Sequence, residues 1–243
     1  EIASCLVGSE MCIRDSNNQS LLATGCYEKI DSGVTNFGRE VIKEMNRVGI
    51  MVDISHVTDE VINQVLDMTD LPVIASHSSC RHFTPGWERN MGDEEIRRLK
   101  DNGGVIQINY GSSFITQASQ DKRAANAEKI KIYAEKNGLS AEDDALQLYA
   151  KKVNEENPIY ADVTEVIDHF DRVVELAGID HVGIGSDYDG VGDSLPYGLK
   201  DASSYPNLIY HLLKRGYSEE DIEKICYKNI WRVWSAVEAA AKT

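Results

Sequence analysis

Residues 50–56, Ile-Met-Val-Asp-Ile-Ser-His, decide how the rest of the chain is read: a short apolar run rich in β-branched side chains that stops at a Ser-His pair. The frame returns at residues 71–77, Leu-Pro-Val-Ile-Ala-Ser-His. Between the two, VTDEVINQVLDMTD places its apolar residues at helical spacing. Upstream, NFGREVIKEMNRVGI opens with Asn36 as a candidate N-cap, sets Val41, Ile42, Met45 and Val48 on one helical face, and ends at Gly49.

The alternation continues downstream. Helix DEEIRRLKDNG precedes strand GVIQINY, and helix VTEVIDHFDRVVELAG precedes strand HVGIGSD. Strands separated by helices of this length argue for parallel βαβ units, because a parallel crossover needs about a dozen residues of chain. The segment from about 115 to 158 is polar and charged with helical stretches, and reads as a helical insertion within one domain. The tail offers three amphipathic helices, YPNLIYHLLKRG, SEEDIEKICYKN and IWRVWSAVEAAAK, with Ser218 and Asp221 spaced as a capping box. Residues 1–16, EIASCLVGSEMCIRDS, begin without Met and share none of this periodicity; they are read as a non-native leader, with residues 17–243 as the domain.

The bulk composition narrows the function classes. A chain of 243 residues with 42% apolar content is long enough for one sizeable core. Its 40 acidic against 25 basic side chains give a formal charge of −15, which repels nucleic acid and anionic lipid over most of the surface. No run of apolar residues is long enough for a membrane helix. The five cysteines form no C-x-x-C pair, so neither a disulfide framework nor a cysteine metal site is indicated. Cys80, in SHSSC, reads as a buried filler before it reads as a catalytic thiol.

The chemical signal lies at the strand ends. His56, His77 and Asp187 each follow an apolar strand, and in parallel α/β folds those C-terminal ends converge on one face. Two imidazoles on consecutive strand ends would be neighbours able to share a metal, and a nearby carboxylate could orient a water. One His at a strand end is ordinarily a hydrogen-bonded residue; two in the same Ser-His frame make the ligand reading as good as that one. His82, His169, His181 and His211 fall in loops or helices and read as structural. Asp53 and Asp189 could orient a neighbour or cap a turn, Asn109 and Tyr110 could line the same face, and Trp87 could pack or cover it. Gly183, Gly185 and Gly190 suit close backbone approach.

Five blocks in order, GREVIKEMNRVGIMVDISHV, PVIASHSSCR, PGWERNMGDEEI, GGVIQINYGSSF and HVGIGSDYDGV, resemble segments of the membrane (renal) dipeptidase family. The resemblance runs from about Asn17 to Ala241. It implies the C-terminal portion of a (β/α)8 TIM-like barrel of the amidohydrolase kind, two zinc ions at its C-terminal face, and hydrolysis of dipeptides with a free carboxylate. It implies further that His56 and His77 are the two histidine ligands of one zinc. Asp187 would contact substrate and move protons, and Arg89 would bind the terminal carboxylate. The family pattern also carries a His-x-Asp on the first strand, a bridging Glu and a further His. These would lie upstream of residue 17, so the chain reads as an N-terminally truncated copy, inactive by itself. Hydrolysis of a lactam or another amide, or a non-catalytic binding role, stay open beside the dipeptidase reading, as do a homodimeric assembly and the compartment.

Overall fold

The computed structural model describes residues 21–28 and 30–241; the leader read at residues 1–16 lies outside them. Its centre is a parallel sheet of β1 (Ile74–Ser78), β2 (Val105–Ile108) and β3 (Val182–Ile184) in the order β1-β2-β3. The run at 50–56 joins it more briefly than its composition predicts. Asp53 pairs in parallel with Ile74, Ile54 N donates to Ile74 O at 2.8 Å, and Ile74 N donates to Val52 O at 3.0 Å. Pairing then stops, because the chain turns at Ser55 and enters a left-handed conformation at His56.

Helices α1 (Asn36–Val48) and α2 (Asp59–Met68) flank that segment. The N-cap of α1 is Thr35 and not Asn36: the Thr35 hydroxyl accepts from Gly38 N at 2.9 Å, which a residue inside the first turn cannot do. Ile42 and Met45 turn inward, and Gly49 closes the helix at φ 78°. Helix α3 (Asp93–Asn102) carries Asp93, Glu94 and Glu95 at its positive end and buries Ile96 and Leu99. Helix α4 (Ser112–Ile115) leads into α5 (Gln117–Asn137) and α6 (Asp144–Glu156), which meet through stacked Tyr133 and Tyr149 rings 3.8 Å apart. Helix α7 (Val163–Ala177) starts from an Asp162/Glu165 capping box and sinks Val166, Ile167, Phe170 and Val173 into the core.

At the tail, α8 (Tyr205–Arg215) is followed by α9 (Glu219–Glu223), a π-helical turn (Lys224–Lys228) and α10 (Asn229–Ala239). The last two expected helices are therefore one run. No Gly or Pro interrupts residues 219–239, and the π turn absorbs the change of phase while Ile225, Val233 and Val237 stay buried. The Ser218/Asp221 capping box is present. Among the described residues no helix is long and apolar enough to cross a membrane.

Candidate active site

The two Ser-His frames deliver their imidazoles to one point. His56 Nε2 and His77 Nε2 stand 2.9 Å apart at the C-terminal end of the sheet. His77 lies within β1, its Nδ1 2.7 Å from Ser76 Oγ, and Ser76 Oγ donates to Asp53 Oδ2 at 2.5 Å. His56 reaches the site from outside a regular strand, with φ 67°.

Arg89 comes from the turn before α3 and is 2% exposed, which rules out a solvated cation. Its Nη1 donates to Ser78 Oγ at 3.0 Å, and Nη2 donates to His77 O and to His56 Nε2, each at 2.9 Å. None of these partners is a carboxylate, and burial lowers the guanidinium's affinity for its proton. Among the described residues its buried Nε–H has no acceptor. An unmatched buried donor of this kind costs about 1–3 kcal/mol, which an arriving anion would offset.

Asp187 enters from the β3 side at φ 58°. Asn109, fully buried at the end of β2, donates Nδ2 to Asp187 Oδ2 at 2.8 Å while its Oδ1 accepts from Gly111 N at 2.8 Å. The amide is thereby fixed with its donor toward the carboxylate. Gly190 makes room for that carboxylate, since a Cβ there would overlap Asp187 Oδ1. His56, His77 and Asp187 together line a cavity of about 170 Å³, with Tyr27, Phe114 and Arg123 on its other walls.

Sequence reasoning left Asn109 as a lining residue and Asp53 as undecided; both prove to hold a site side chain directly or through one serine. It gave no role to Ser76, Tyr27 or Arg123. Ser76 had a signal, its place beside His77, whereas Arg123 sits in a polar helix whose direction only the tertiary fold sets. Trp87 packs edge-on against Phe114, with ring centroids 4.9 Å apart. Asp189 is exposed.

Two of the residues read as structural, Cys80 and His169, are buried and packed together. Cys80 is buried, and burial pushes its thiol pKa far up. A His-x-Asp spacing does occur, at His169-Phe170-Asp171, but it lies in α7. There His169 Nδ1 accepts from Cys80 N and Nε2 faces Ile115 O, each at 3.0 Å, so both ring nitrogens are committed to backbone.

Two imidazole nitrogens bound to one tetrahedral zinc would be about 3.3 Å apart, so the 2.9 Å pair matches half of such a ligand set within a small adjustment. Among the described residues no group of three or more His, Cys, Asp or Glu is gathered for a metal. The residues present therefore fit part of a metal centre.

A parallel α/β sheet with imidazoles, a guanidinium and a carboxylate at its C-terminal edge is an α/β fold whose site is built on the strand ends. The chain belongs to the membrane dipeptidase family, peptidase family M19, whose model matches residues 15–243. It is 35% identical over 212 residues to an uncharacterized dipeptidase of Schizosaccharomyces pombe, covering 87% of this chain and 41% of that protein. To dipeptidase 3 of Mus musculus it is 33% identical over 207 residues, covering 85% and 34%. The chain thus spans less than half the length of these curated relatives.

Solved structures agree on the fold. The probable dipeptidase PvdM from Pseudomonas aeruginosa superposes with a TM-score of 0.75 at 25% identity, over 92% of this chain and 61% of that one. A metallopeptidase from Rhodobacter sphaeroides, solved with a phosphinate mimic of the dipeptide L-Ala-D-Ala, gives 0.64 at 25% identity over 84% and 47%. The expected (β/α)-barrel portion is what the chain forms, and the family is one of metal-dependent peptidases.

Proposed function

We propose that this chain carries part of the active site of a zinc-dependent dipeptidase. The observation that carries the reading is the meeting of His56 Nε2 and His77 Nε2 at 2.9 Å on the C-terminal edge of a parallel sheet. Membership in the membrane dipeptidase family and the likeness to a structure that holds a dipeptide mimic support it. Zinc, when bound, supplies Lewis-acid polarisation of the peptide carbonyl and lowers the pKa of the attacking water.

The chain's own residues divide the remaining work. His56 and His77 would hold the metal through Nε2. Arg89 binds the terminal carboxylate of the dipeptide, satisfying its buried Nε–H. Asp187, held by Asn109, takes a proton and delivers it to the leaving amine. The other metal ligands would come from the additional length that the relatives possess.

The test compares this chain with one extended upstream by its natural gene sequence, measuring bound zinc and hydrolysis of a panel of L,L- and L,D-dipeptides. The extended protein binds zinc and cleaves dipeptides, and His77→Ala lowers the bound zinc and abolishes cleavage. A metal-loaded extended protein that leaves every dipeptide intact but opens a lactam or another amide would replace the substrate assignment. One that binds no zinc would overturn the reading.

A further inference from the structure

Three hydrogen bonds converge on the Asp53 carboxylate. Oδ1 accepts from Ser55 N at 2.9 Å and from Ser76 N at 3.1 Å, and Oδ2 accepts from the Ser76 hydroxyl at 2.5 Å. Ser55 and Ser76 immediately precede His56 and His77, so one carboxylate ties together the two segments that deliver the imidazoles. Ser55 adds a second tie, its Oγ accepting from His77 N at 3.1 Å.

Ser76 Oγ also lies 2.7 Å from His77 Nδ1. A serine hydroxyl has one proton, and an ionised carboxylate has none to give. The Ser76 proton therefore goes to Asp53 Oδ2, and toward the ring the same oxygen can only accept. Nδ1 of the neutral ring must then carry its proton, which leaves Nε2 as the lone-pair nitrogen. Nε2 is the atom that faces His56. The Arg89 guanidinium, always a donor, meets His56 at the same nitrogen, so both rings turn an acceptor toward one point and Arg89 moderates their repulsion.

We propose that Asp53, acting through Ser76, is a positioning residue that fixes His77 as the Nδ1–H tautomer and so presents Nε2 to a metal ion. A hydrogen-bonded partner on the far ring nitrogen orients a ligating histidine and raises its basicity. The metal-ligand role of His77 rests on the proposed function; its tautomer does not.

The imidazole nitrogen resonances of the full chain, labelled at histidine, metal-free and above the ordinary imidazole titration range, separate the tautomers. The wild-type His77 shows Nδ1–H. In Asp53→Asn the two backbone N–H groups keep the amide oxygen, which turns the NH2 toward Ser76. Ser76 then donates its proton to Nδ1, so His77 switches to Nε2–H, and zinc affinity falls about 10–100-fold. Ser76→Ala removes the relay but not the backbone bonds, and carries the test if Asp53→Asn does not fold: His77 then populates both tautomers, and Ser76→Thr restores the first. A wild-type His77 found as Nε2–H overturns the inference, as does an unchanged tautomer in the folded variants. The expected tautomers together with a His77 that zinc does not perturb would uphold the relay and remove the metal reading instead.

Discussion

His56 and Asp187 share a backbone feature that no other non-glycine residue among those described has: each sits at positive φ, 67° and 58° respectively. Left-handed backbone costs an L-residue with a Cβ roughly 1–2 kcal/mol, and it persists where surrounding structure enforces it. At His56 the enforcement comes from Asp53, which captures Ser55 N just before the turn. At Asp187 it comes from Asn109 on the side chain and from Gly190 N, which donates to Asp187 O at 3.0 Å. Both side chains line the same cavity, so the strain is located where the ligand would be.

Glycine at either position relieves that strain, whereas alanine keeps it. Asp187→Gly is expected to be more stable than Asp187→Ala by about 1 kcal/mol, after glycine's greater unfolded-state freedom offsets part of the gain. His56→Gly against His56→Ala should show the same order. Urea unfolding of the four variants measures it; equal stabilities within each pair would mean that the backbone relaxes out of the left-handed region.

His169 confers a sensitivity to acid. Burial lowers its pKa from 6.5 to about 4, because the charged ring would lose its hydration in the interior; protonating Nδ1 would also set an N–H against the Cys80 N–H that it now accepts from. The unfolded chain takes up the proton first as pH falls below 6.5, so the stability present above that pH is lost progressively toward pH 4. The loss amounts to about 3 kcal/mol at most. Urea midpoints measured across this range should fall in the wild type and flatten in His169→Gln; a wild-type midpoint that does not change between pH 6.5 and 4 would contradict the assignment.

Gly185 lies between β3 and the site. A Cβ there would stand 2.5 Å from Gln107 O and 2.6 Å from Ser76 O, two backbone atoms with no freedom to withdraw. Gly185→Ala is expected to destabilise the chain by about 3 kcal/mol and to displace Ser76, and with it His77. Gly183→Ala, whose nearest contact would be 3.4 Å from a Gln107 side-chain carbon, is the matched control and should cost far less. Thermal unfolding of the two variants distinguishes them.

Much of this arrangement could be read in the residues. The Ser-His frames after apolar runs, and the Asp after VGIGS, located the strand ends, because parallel strands bury both faces and put their polar residues where pairing stops. What the sequence did not convey was set by tertiary contact. Asn36 looked like the cap of α1, but the first residue able to bend its hydroxyl back to Gly38 N is Thr35. The run at 50–56 looked like a full strand, but a single carboxylate, Asp53, diverts its end into the site. Asn109 carried no spacing signal for its role, since its partner Asp187 is 78 residues away. The His-x-Asp at 169–171 shows the converse: a motif by spacing that its place on a buried helix face turns into packing.

Zinc calorimetry on the chain extended upstream by its natural gene sequence shows whether His56 and His77 act together as metal ligands. Wild type, His82→Ala and His211→Ala are expected to bind the same number of zinc ions, and His56→Ala and His77→Ala each to bind fewer. A zinc count that stays unchanged in the double variant His56→Ala/His77→Ala, or that falls with His211→Ala, would contradict that assignment.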